Sequence, residues 1–275
     1  MYESIKEWSK DKICLLSAYA RPYSLILSRQ KDLQHVYIDA FAGTGEYLSE
    51  DKKEIISGSP KAILDISPPF TEYYFVEMNQ DKFENLRTLS NKRKNVFVFR
   101  GDCNNVLLDW VFPNVEKKDG KRGLCFLDPY GIHLDWEIIQ KAGSMGTLEI
   151  MMNFSIMDMR RNVFRHKLAN VQPSQIKRMD KFWGDSSWQH IKGVVQGDLF
   201  SEACIFTSAN DIVGEYVQRL KTKARFKFVA DPVPIFNSKN SLVYYLIFAT
   251  QNITGHKIVT SIFKKYKKIG IENGK

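Results

Sequence analysis

The sequence predicts an α/β protein with a doubly wound, mostly parallel sheet, a C-terminal antiparallel hairpin and a helical insertion. Strand and helix patterns alternate from residue 35 to residue 155, which is typical of a parallel sheet with helices on both faces. The alternation then stops at a polar, basic stretch over residues 156–197. Two apolar segments, residues 226–236 and 242–250, flank turn-forming residues and predict the hairpin.

The N-terminal elements are predicted from apolar spacing. Residues 3–30 carry apolar side chains at helical spacing, so we expect a helical cap over residues 1–34. Pro22 should break or restart this helix, because proline lacks an amide N–H and clashes with the preceding turn. Residues 35–41 predict the first strand, in which Val36 and Ile38 alternate with the aromatic Tyr37, as expected of a strand buried on both faces.

Later elements follow the same reasoning. After a polar stretch at residues 49–56, Ser59 suits an N-cap and Pro60 the first position of a helix over residues 60–66. A short basic helix is expected near the C-terminus, over residues 258–268. Four further apolar runs predict strands at residues 73–77, 96–99, 124–127 and 148–154.

These patterns divide the chain into a core domain, residues 35–155 and 198–275, a cap over residues 1–34 and a basic insertion over residues 156–197. The insertion's candidate substrate-binding residues are Arg160, Arg161, Arg165, Lys177 and Arg178. Its interleaved aromatic residues are Phe164, Phe182, Trp183 and Trp188. Such a mixture suits phosphate contacts with base stacking, but it equally suits an amphipathic insertion with a charged outer face.

Composition narrows the function classes. The net charge of +9 favours an anionic partner, nucleic acid first, although a solvated basic surface would give the same excess. The four cysteines are scattered, so neither a metal site nor a disulfide framework is predicted. The N-terminus shows no signal-peptide pattern, and the longest apolar run is too short to span a bilayer. We expect a cytoplasmic protein with no membrane contact, and the oligomeric state is not indicated.

Acidic side chains mark the ends of successive predicted strands. Asp39 ends the first strand and is followed by the turn Gly43-Thr44-Gly45, where glycine permits a sharp bend and close approach of a ligand. The carboxyl ends of parallel strands meet at one edge of a sheet, which is where ligands bind in this class. The acids that should gather there are Asp39, Glu77, Asp102 and Asp128.

A nucleoside bound across this edge would use several of these groups. The glycine turn would approach its polar middle, Glu77 would accept the ribose hydroxyls, and Asp102 would accept the adenine amine. A nicotinamide dinucleotide is the weaker alternative, because the third glycine of its fingerprint would fall at Leu48. Asp39 would also repel a diphosphate, whereas it suits a cation such as the sulfonium and amino group of S-adenosylmethionine.

Several motifs resemble those of class I S-adenosylmethionine-dependent methyltransferases. The run Asp39-Ala-Phe-Ala-Gly-Thr-Gly45 resembles their Asp-x-Phe-x-Gly-x-Gly motif, and Asp128-Pro-Tyr-Gly131 resembles the (Asp/Asn)-Pro-Pro-(Tyr/Phe) motif of enzymes that methylate exocyclic amines. The combined set is similar to the three-Cys-motif partner (TcmP) family. The further matching pieces are Gly58-Ser-Pro60, Phe75-Val-Glu77, Gly101-Asp-Cys-Asn104 and Asn153-Phe154.

The resemblance implies a Rossmann-like methyltransferase sheet, S-adenosylmethionine as cofactor and a three-Cys-motif protein as partner. The residues implied to bind the cofactor are Asp39, Phe41, Gly43, Gly45, Glu77, Asp102 and Cys103. Asp128 and the Pro129 carbonyl would accept hydrogen bonds from a target amine, and Tyr130 would stack on a flipped base. Tyr130 stands where the motif has its second proline, so the aromatic is displaced by one residue and its stacking role is open.

Two functions follow from these observations. The first is a methyltransferase acting on a base amine of nucleic acid. The second is a non-catalytic module that binds cofactor or nucleic acid together with a three-Cys-motif protein, in defence against mobile elements.

Overall fold

The computed structural model describes residues 7–48, 54–116, 120–164, 168–191, 194–196, 204–206 and 208–272. Within this part of the chain, eight strands form the central sheet. They are β1 (Gln34–Asp39), β4 (Glu72–Glu77), β5 (Val96–Arg100), β6 (Lys121–Leu127), β7 (Leu148–Phe154), β10 (Phe228–Val229), β11 (Val233–Phe236) and β12 (Leu242–Thr250). Two short ribbons complete the strands: β2 (Glu46–Leu48) with β3 (Ile55–Ser57), and β8 (Val194–Gln196) with β9 (Cys204–Phe206).

The sheet has the order β5-β4-β1-β6-β7-β12-β10, and β11 also pairs with β12. The five neighbouring strands β5, β4, β1, β6 and β7 are parallel. Strand β12 runs antiparallel to β7 and to both β10 and β11. Asp39 at the end of β1 lies opposite Phe75 of β4 and Phe126 of β6. The carboxyl ends of these three neighbouring strands therefore lie at one edge. The predicted doubly wound sheet with a C-terminal antiparallel hairpin is confirmed.

Helices cover both faces of the sheet, as the continuous burial of β1 from His35 to Asp39 requires. Val36 and Ile38 belong to one apolar core, while Tyr37 belongs to the other. The described helices are α1 (Glu7–Leu27), α2 (Ser59–Leu64), α3 (Gln80–Ser90), α4 (Cys103–Val106), α5 (Trp136–Met145), α6 (Ile156–Met159), α7 (Pro173–Trp183), α8 (Ala209–Thr222) and α9 (Ile253–Glu272). The first core includes side chains from α5, α7 and α8, and the second includes side chains from α1, α2, α3 and α9.

Two local predictions were wrong. Helix α1 continues through Pro22 instead of breaking there, because its apolar face remains buried on both sides of the proline, at Tyr19 and Tyr23. Gly58, not Ser59, is the N-cap of α2, and the Ser59 hydroxyl is used by Asp39 instead.

The insertion shares a core with the sheet. Its aromatic side chains Phe182, Trp183 and Trp188 are buried in the same apolar cluster as Phe154 of β7. They hold the insertion against the sheet and are not available for base stacking, so for these three residues the structure agrees with the second interpretation, an amphipathic insertion. Arg165 lies outside the described residues. Among the described helices, we find none with the length and apolar character needed to cross a membrane.

Candidate active site

A cleft with a volume of about 910 Å³ opens at the carboxyl edge of the sheet. This size falls within the range of small-molecule sites in proteins. Three of the four predicted acids, Glu77, Asp102 and Asp128, line it together with the glycine turn. The structure therefore brings together residues that the sequence places after four different strands.

Asp39, the fourth acid, lies beneath the turn and does not line the cleft. Its side chain is fully buried and accepts hydrogen bonds from the Ser59 hydroxyl, from the Phe41 amide N–H at 3.3 Å and from the Tyr37 hydroxyl at 3.2 Å. Burial raises the pKa of Asp39 to about 7, although these hydrogen bonds favour the ionised form. Asp39 thus fixes the shape of the turn and the position of α2.

The two turn glycines differ in what they face. Gly43 lines the cleft and Gly45 does not, and both have positive φ angles, +67° and +82°. A Cβ atom at Gly43 would lie 2.1 Å from the Tyr47 hydroxyl oxygen, and one at Gly45 would lie 2.6 Å from Leu89. Larger residues are therefore excluded at both positions by conformation and by space.

Tyr47 is a cleft residue that sequence reasoning missed. It comes from β2, and its ring packs between Gly43 and Gly58, whose amide N–H donates to the Gly45 carbonyl at 2.8 Å. The signal was present in the sequence, since glycines on both sides of an aromatic residue leave room for its ring. The polar connection between β2 and β3 hid that signal.

Glu77 and Asp102 hold backbone groups at the ends of their strands. Glu77 Oε2 accepts from the Gly43 amide N–H at 2.9 Å, and Oε1 accepts from the Asn79 amide N–H at 2.7 Å. Asp102 caps α4 by accepting from the Asn104 amide N–H at 2.9 Å. Cys103 is buried beside it, and burial raises the pKa of its thiol well above the usual range. This thiol therefore offers an uncharged wall to the cleft.

Asp128 is engaged by a residue from the far end of the chain. Its Oδ2 pairs with the ammonium group of Lys12 on α1, and its Oδ1 accepts from Asn153 Nδ2 at 2.8 Å. The Lys12 ammonium also lies 5.6 Å from the ring centroid of Tyr244, within the range of a cation–π contact. A primary amine of the chain thus occupies the carboxylate that the motif assigns to a substrate amine. This contact could not be predicted from the residue pattern.

The loop after Asp128 is held in place by Asp158 and Arg178, a pair that we call the clamp. Gly131 has a φ of +67°, and a Cβ atom there would lie 2.9 Å from Asp158 Oδ2. Arg178 donates to the same carboxylate oxygen at 2.7 Å and approaches His133 Nε2 at 3.2 Å. Between these contacts, the side chain of Tyr130 is 90% exposed at the mouth of the cleft.

The predicted basic residues that the structure describes occupy different positions. Arg178 belongs to the clamp, and Arg160 is partly buried near Tyr245. Arg161 lines the cleft, whereas Lys177 is exposed on α7. Of the four predicted positions that the structure describes, only Arg161 lines the cleft.

Comparison with known proteins supports the fold. No protein-family model matches the chain, and no curated protein sequence matches it. A Legionella pneumophila protein of family DUF519 is similar in structure, with a TM-score of 0.56 at 12% identity over 95% of this chain and 91% of that chain. TYW2 from M. jannaschii, solved with AdoMet, has a TM-score of 0.40 at 10% identity over 89% and 76%. Fibrillarin from Aeropyrum pernix, solved with S-adenosyl-L-methionine, has a TM-score of 0.39 at 11% identity over 85% and 76%.

Proposed function

We propose that this chain is an S-adenosylmethionine-dependent methyltransferase that acts on an amino group of a nucleic-acid base. The observation that carries the proposal is the order of groups in one cleft. Along the carboxyl edge of the sheet, Asp102 after β5, Glu77 at the end of β4, the glycine turn after β1 and the Asp128–Gly131 loop after β6 follow one another. This is the order of groups that an adenosine with a cationic tail and a neighbouring amine requires.

The residues present fit the cofactor. The open backbone at Gly43 suits close approach of the methionine part, Glu77 would accept the ribose hydroxyls, and Asp102 and Cys103 would border the adenine. Asp39 would act through the turn that it holds. When bound, S-adenosylmethionine would supply an activated methyl group for transfer to an amine nitrogen.

The chain's own contribution is to bind and orient the amine. Asp128 and a second oxygen, which the resemblance assigns to the Pro129 carbonyl, would accept its hydrogens and direct its lone pair into the cleft. Because no residue must activate the methyl group, positioning and exclusion of water account for most of the expected rate enhancement. The net charge of +9 supports an anionic substrate through long-range attraction.

Calorimetric titration with S-adenosylmethionine, S-adenosylhomocysteine and NAD tests the cofactor. We expect micromolar affinity for S-adenosylmethionine and S-adenosylhomocysteine, which corresponds to a binding free energy of about −8 kcal/mol, and no binding of NAD. Asp39→Ala should abolish binding because three donors lose their acceptor, while Asp65→Ala, at the exposed C-cap of α2, should not. Equal binding by wild type and Asp39→Ala would contradict this part of the proposal.

Transfer of a radiolabelled methyl group to DNA and RNA pools tests the substrate. We expect labelling by the wild type and none by Asp128→Asn, with S-adenosylhomocysteine affinity unchanged in that variant. If the wild type binds the cofactor but labels neither pool, the nucleic-acid substrate is removed from the proposal.

A second candidate function is a non-catalytic binding partner of a three-Cys-motif protein. The contact that favours it is the pairing of Asp128 with Lys12, since the presumed amine site is already occupied in the isolated chain. Methyl transfer by the isolated chain that depends on Asp128 would exclude this candidate.

A further inference from the structure

The cleft contains a buried hydrogen-bond acceptor that is unsatisfied within the described part of the chain. Asn153 lies at the end of β7, is 7% exposed and lines the cleft, and its Oδ1 has no hydrogen-bond partner among the described residues. The orientation of the amide is fixed, because Nδ2 donates to Asp128 Oδ1 at 2.8 Å and a flipped amide would set two oxygens against each other. A buried polar atom without a partner is unfavourable unless a ligand supplies one.

A donor lies on the other side of the same carboxylate. Lys12 is 9% exposed and pairs with Asp128 Oδ2, on the carboxylate oxygen opposite to the one that Asn153 uses. An ammonium group has three N–H donors, so the bond to Asp128 leaves two for other groups. Tyr244 presents its ring face to one side of this ammonium. The carboxylate is thus flanked by a donor at Lys12 and an acceptor at Asn153.

We propose that Lys12, Asp128 and Asn153 form one recognition edge for the substrate, which reads a neutral amino group with a hydrogen-bond-accepting ring nitrogen beside it. This inference rests on the proposed function and names its substrate class. Asp128 and Asn153 Oδ1 accept the two amino hydrogens, so Asn153 takes the position that the resemblance gives to the Pro129 carbonyl. Lys12 donates to the ring nitrogen.

Adenine and cytosine fit this edge. Each presents an amino group next to an unprotonated ring nitrogen on its Watson–Crick edge. Guanine presents an N–H donor beside its amino group there, which Lys12 cannot meet, and thymine has no amino group. A protein lysine would bring a second ammonium group against Lys12, with the charge of Asp128 already balanced. The edge therefore favours adenine and cytosine over the other bases and over aliphatic amines.

The experiment uses the full chain, tritiated S-adenosylmethionine and defined acceptors. The acceptors are single-stranded thymine or uracil tracts with one adenine, one cytosine or one guanine, the unsubstituted tracts, and poly-L-lysine. The variants are Lys12→Met and Asn153→Leu, with Lys10→Met on the exposed face of α1 as the matched control. Calorimetric affinity for S-adenosylhomocysteine shows in each case that the cofactor part of the site is intact.

We expect label on the adenine or cytosine tract and background on every other acceptor. Lys12→Met and Asn153→Leu should each lower transfer at least tenfold, and Lys10→Met should match the wild type. Lys12→Met should also narrow the difference between the preferred tract and poly-L-lysine. Label on guanine or poly-L-lysine in the wild type, or full transfer by either variant, would overturn the inference.

Binding of S-adenosylhomocysteine distinguishes a failure of this inference from a failure of the proposed function. If S-adenosylhomocysteine binds but no acceptor is labelled, the recognition edge is wrong and the cofactor assignment stands. If S-adenosylhomocysteine does not bind the wild type, the proposed function itself fails.

Discussion

Glu77 Oε2 accepts a hydrogen bond from the amide N–H of Gly43 at 2.9 Å, and this bond joins the ends of two adjacent parallel strands. The turn after β1 is therefore held from two sides, by Asp39 beneath it and by Glu77 beside it. In the proposed function Glu77 also accepts the ribose hydroxyls. One carboxylate would then serve both the shape of the turn and the binding of the ligand.

Replacement of Glu77 should weaken cofactor binding more than it weakens the fold. Glu77→Ala removes hydrogen bonds to a charged acceptor, each worth roughly 1.5–3 kcal/mol, so we expect a 10- to 100-fold loss of S-adenosylhomocysteine affinity. Glu77→Gln, which keeps one acceptor oxygen, should lose less. Calorimetry measures both, with Glu84→Ala on the exposed side of α3 as the control. An unchanged affinity of Glu77→Ala would exclude Glu77 as a ribose ligand.

Tyr130 should contribute to substrate binding and little to stability. Its side chain is 90% exposed beside the cleft, so Tyr130→Ala should change the free energy of unfolding by no more than about 0.5 kcal/mol. If the ring stacks on a base, binding to single-stranded nucleic acid should weaken by about 1–3 kcal/mol. Fluorescence anisotropy measures this loss. Trp110→Ala is the matched control, because Trp110 is 63% exposed and does not line the cleft. Equal effects of the two variants would argue against stacking by Tyr130.

Arg178 and Lys177 are neighbours on α7 with different expected roles. Arg178 pairs with Asp158, and both side chains are 22% exposed. Arg178→Ala should therefore lower the free energy of unfolding by roughly 1–2 kcal/mol and loosen the Tyr130 loop. Lys177→Ala should leave stability unchanged, because its side chain is exposed. Urea unfolding compares the two variants, and equal stability losses would contradict the clamp.

Lys177 carries a separate prediction for nucleic-acid binding. If it contacts a phosphate, Lys177→Ala should reduce the slope of log affinity against log salt by about one and weaken all sequences alike. Binding measured at several salt concentrations gives that slope. An unchanged slope would leave Lys177 as a solvated surface charge.

The sheet could be predicted because its information is local. The fifth predicted strand coincides with β7, and Glu77 ends both the second predicted strand and β4. Acids after strands that are parallel neighbours must gather at one edge, so Glu77, Asp102 and Asp128 could be placed together before their contacts were known.

Contacts between distant segments could not be predicted in the same way. Lys12 and Asp128 are 116 residues apart, and helical spacing on α1 indicates which side is buried but not which strand end it faces. The roles of Phe182 and Trp183 could not be predicted for a different reason, because their local pattern is ambiguous. An aromatic residue among basic ones fits both a binding surface and an apolar core, and only packing against Phe154 and Tyr216 shows that these two belong to the core.

Glu149 is a buried acid remote from the candidate site, and its environment makes stability depend on pH. It lies in β7 at 7% exposure, bound by the Tyr19 hydroxyl and by Thr250 Oγ1 at 2.9 Å. Burial raises its pKa from 4.5 to about 7, although both hydrogen bonds oppose the shift. Between these values the folded chain holds a proton that the unfolded chain has released. The stabilisation is therefore complete below pH 4.5 and lost as the pH rises to about 7.

Glu149→Gln should remove this dependence, since glutamine stays neutral at every pH and keeps one acceptor oxygen. The variant's free energy of unfolding relative to wild type should rise from pH 4.5 to 7, by up to about 3 kcal/mol, and level off above pH 7. Urea unfolding at several pH values measures the difference, in which the shifted pKa of Asp39 cancels because both proteins share it. Glu137→Gln on the exposed side of α5 provides the control and should follow the wild type. Parallel curves for wild type and Glu149→Gln would mean that Glu149 is already ionised in the folded chain near pH 5.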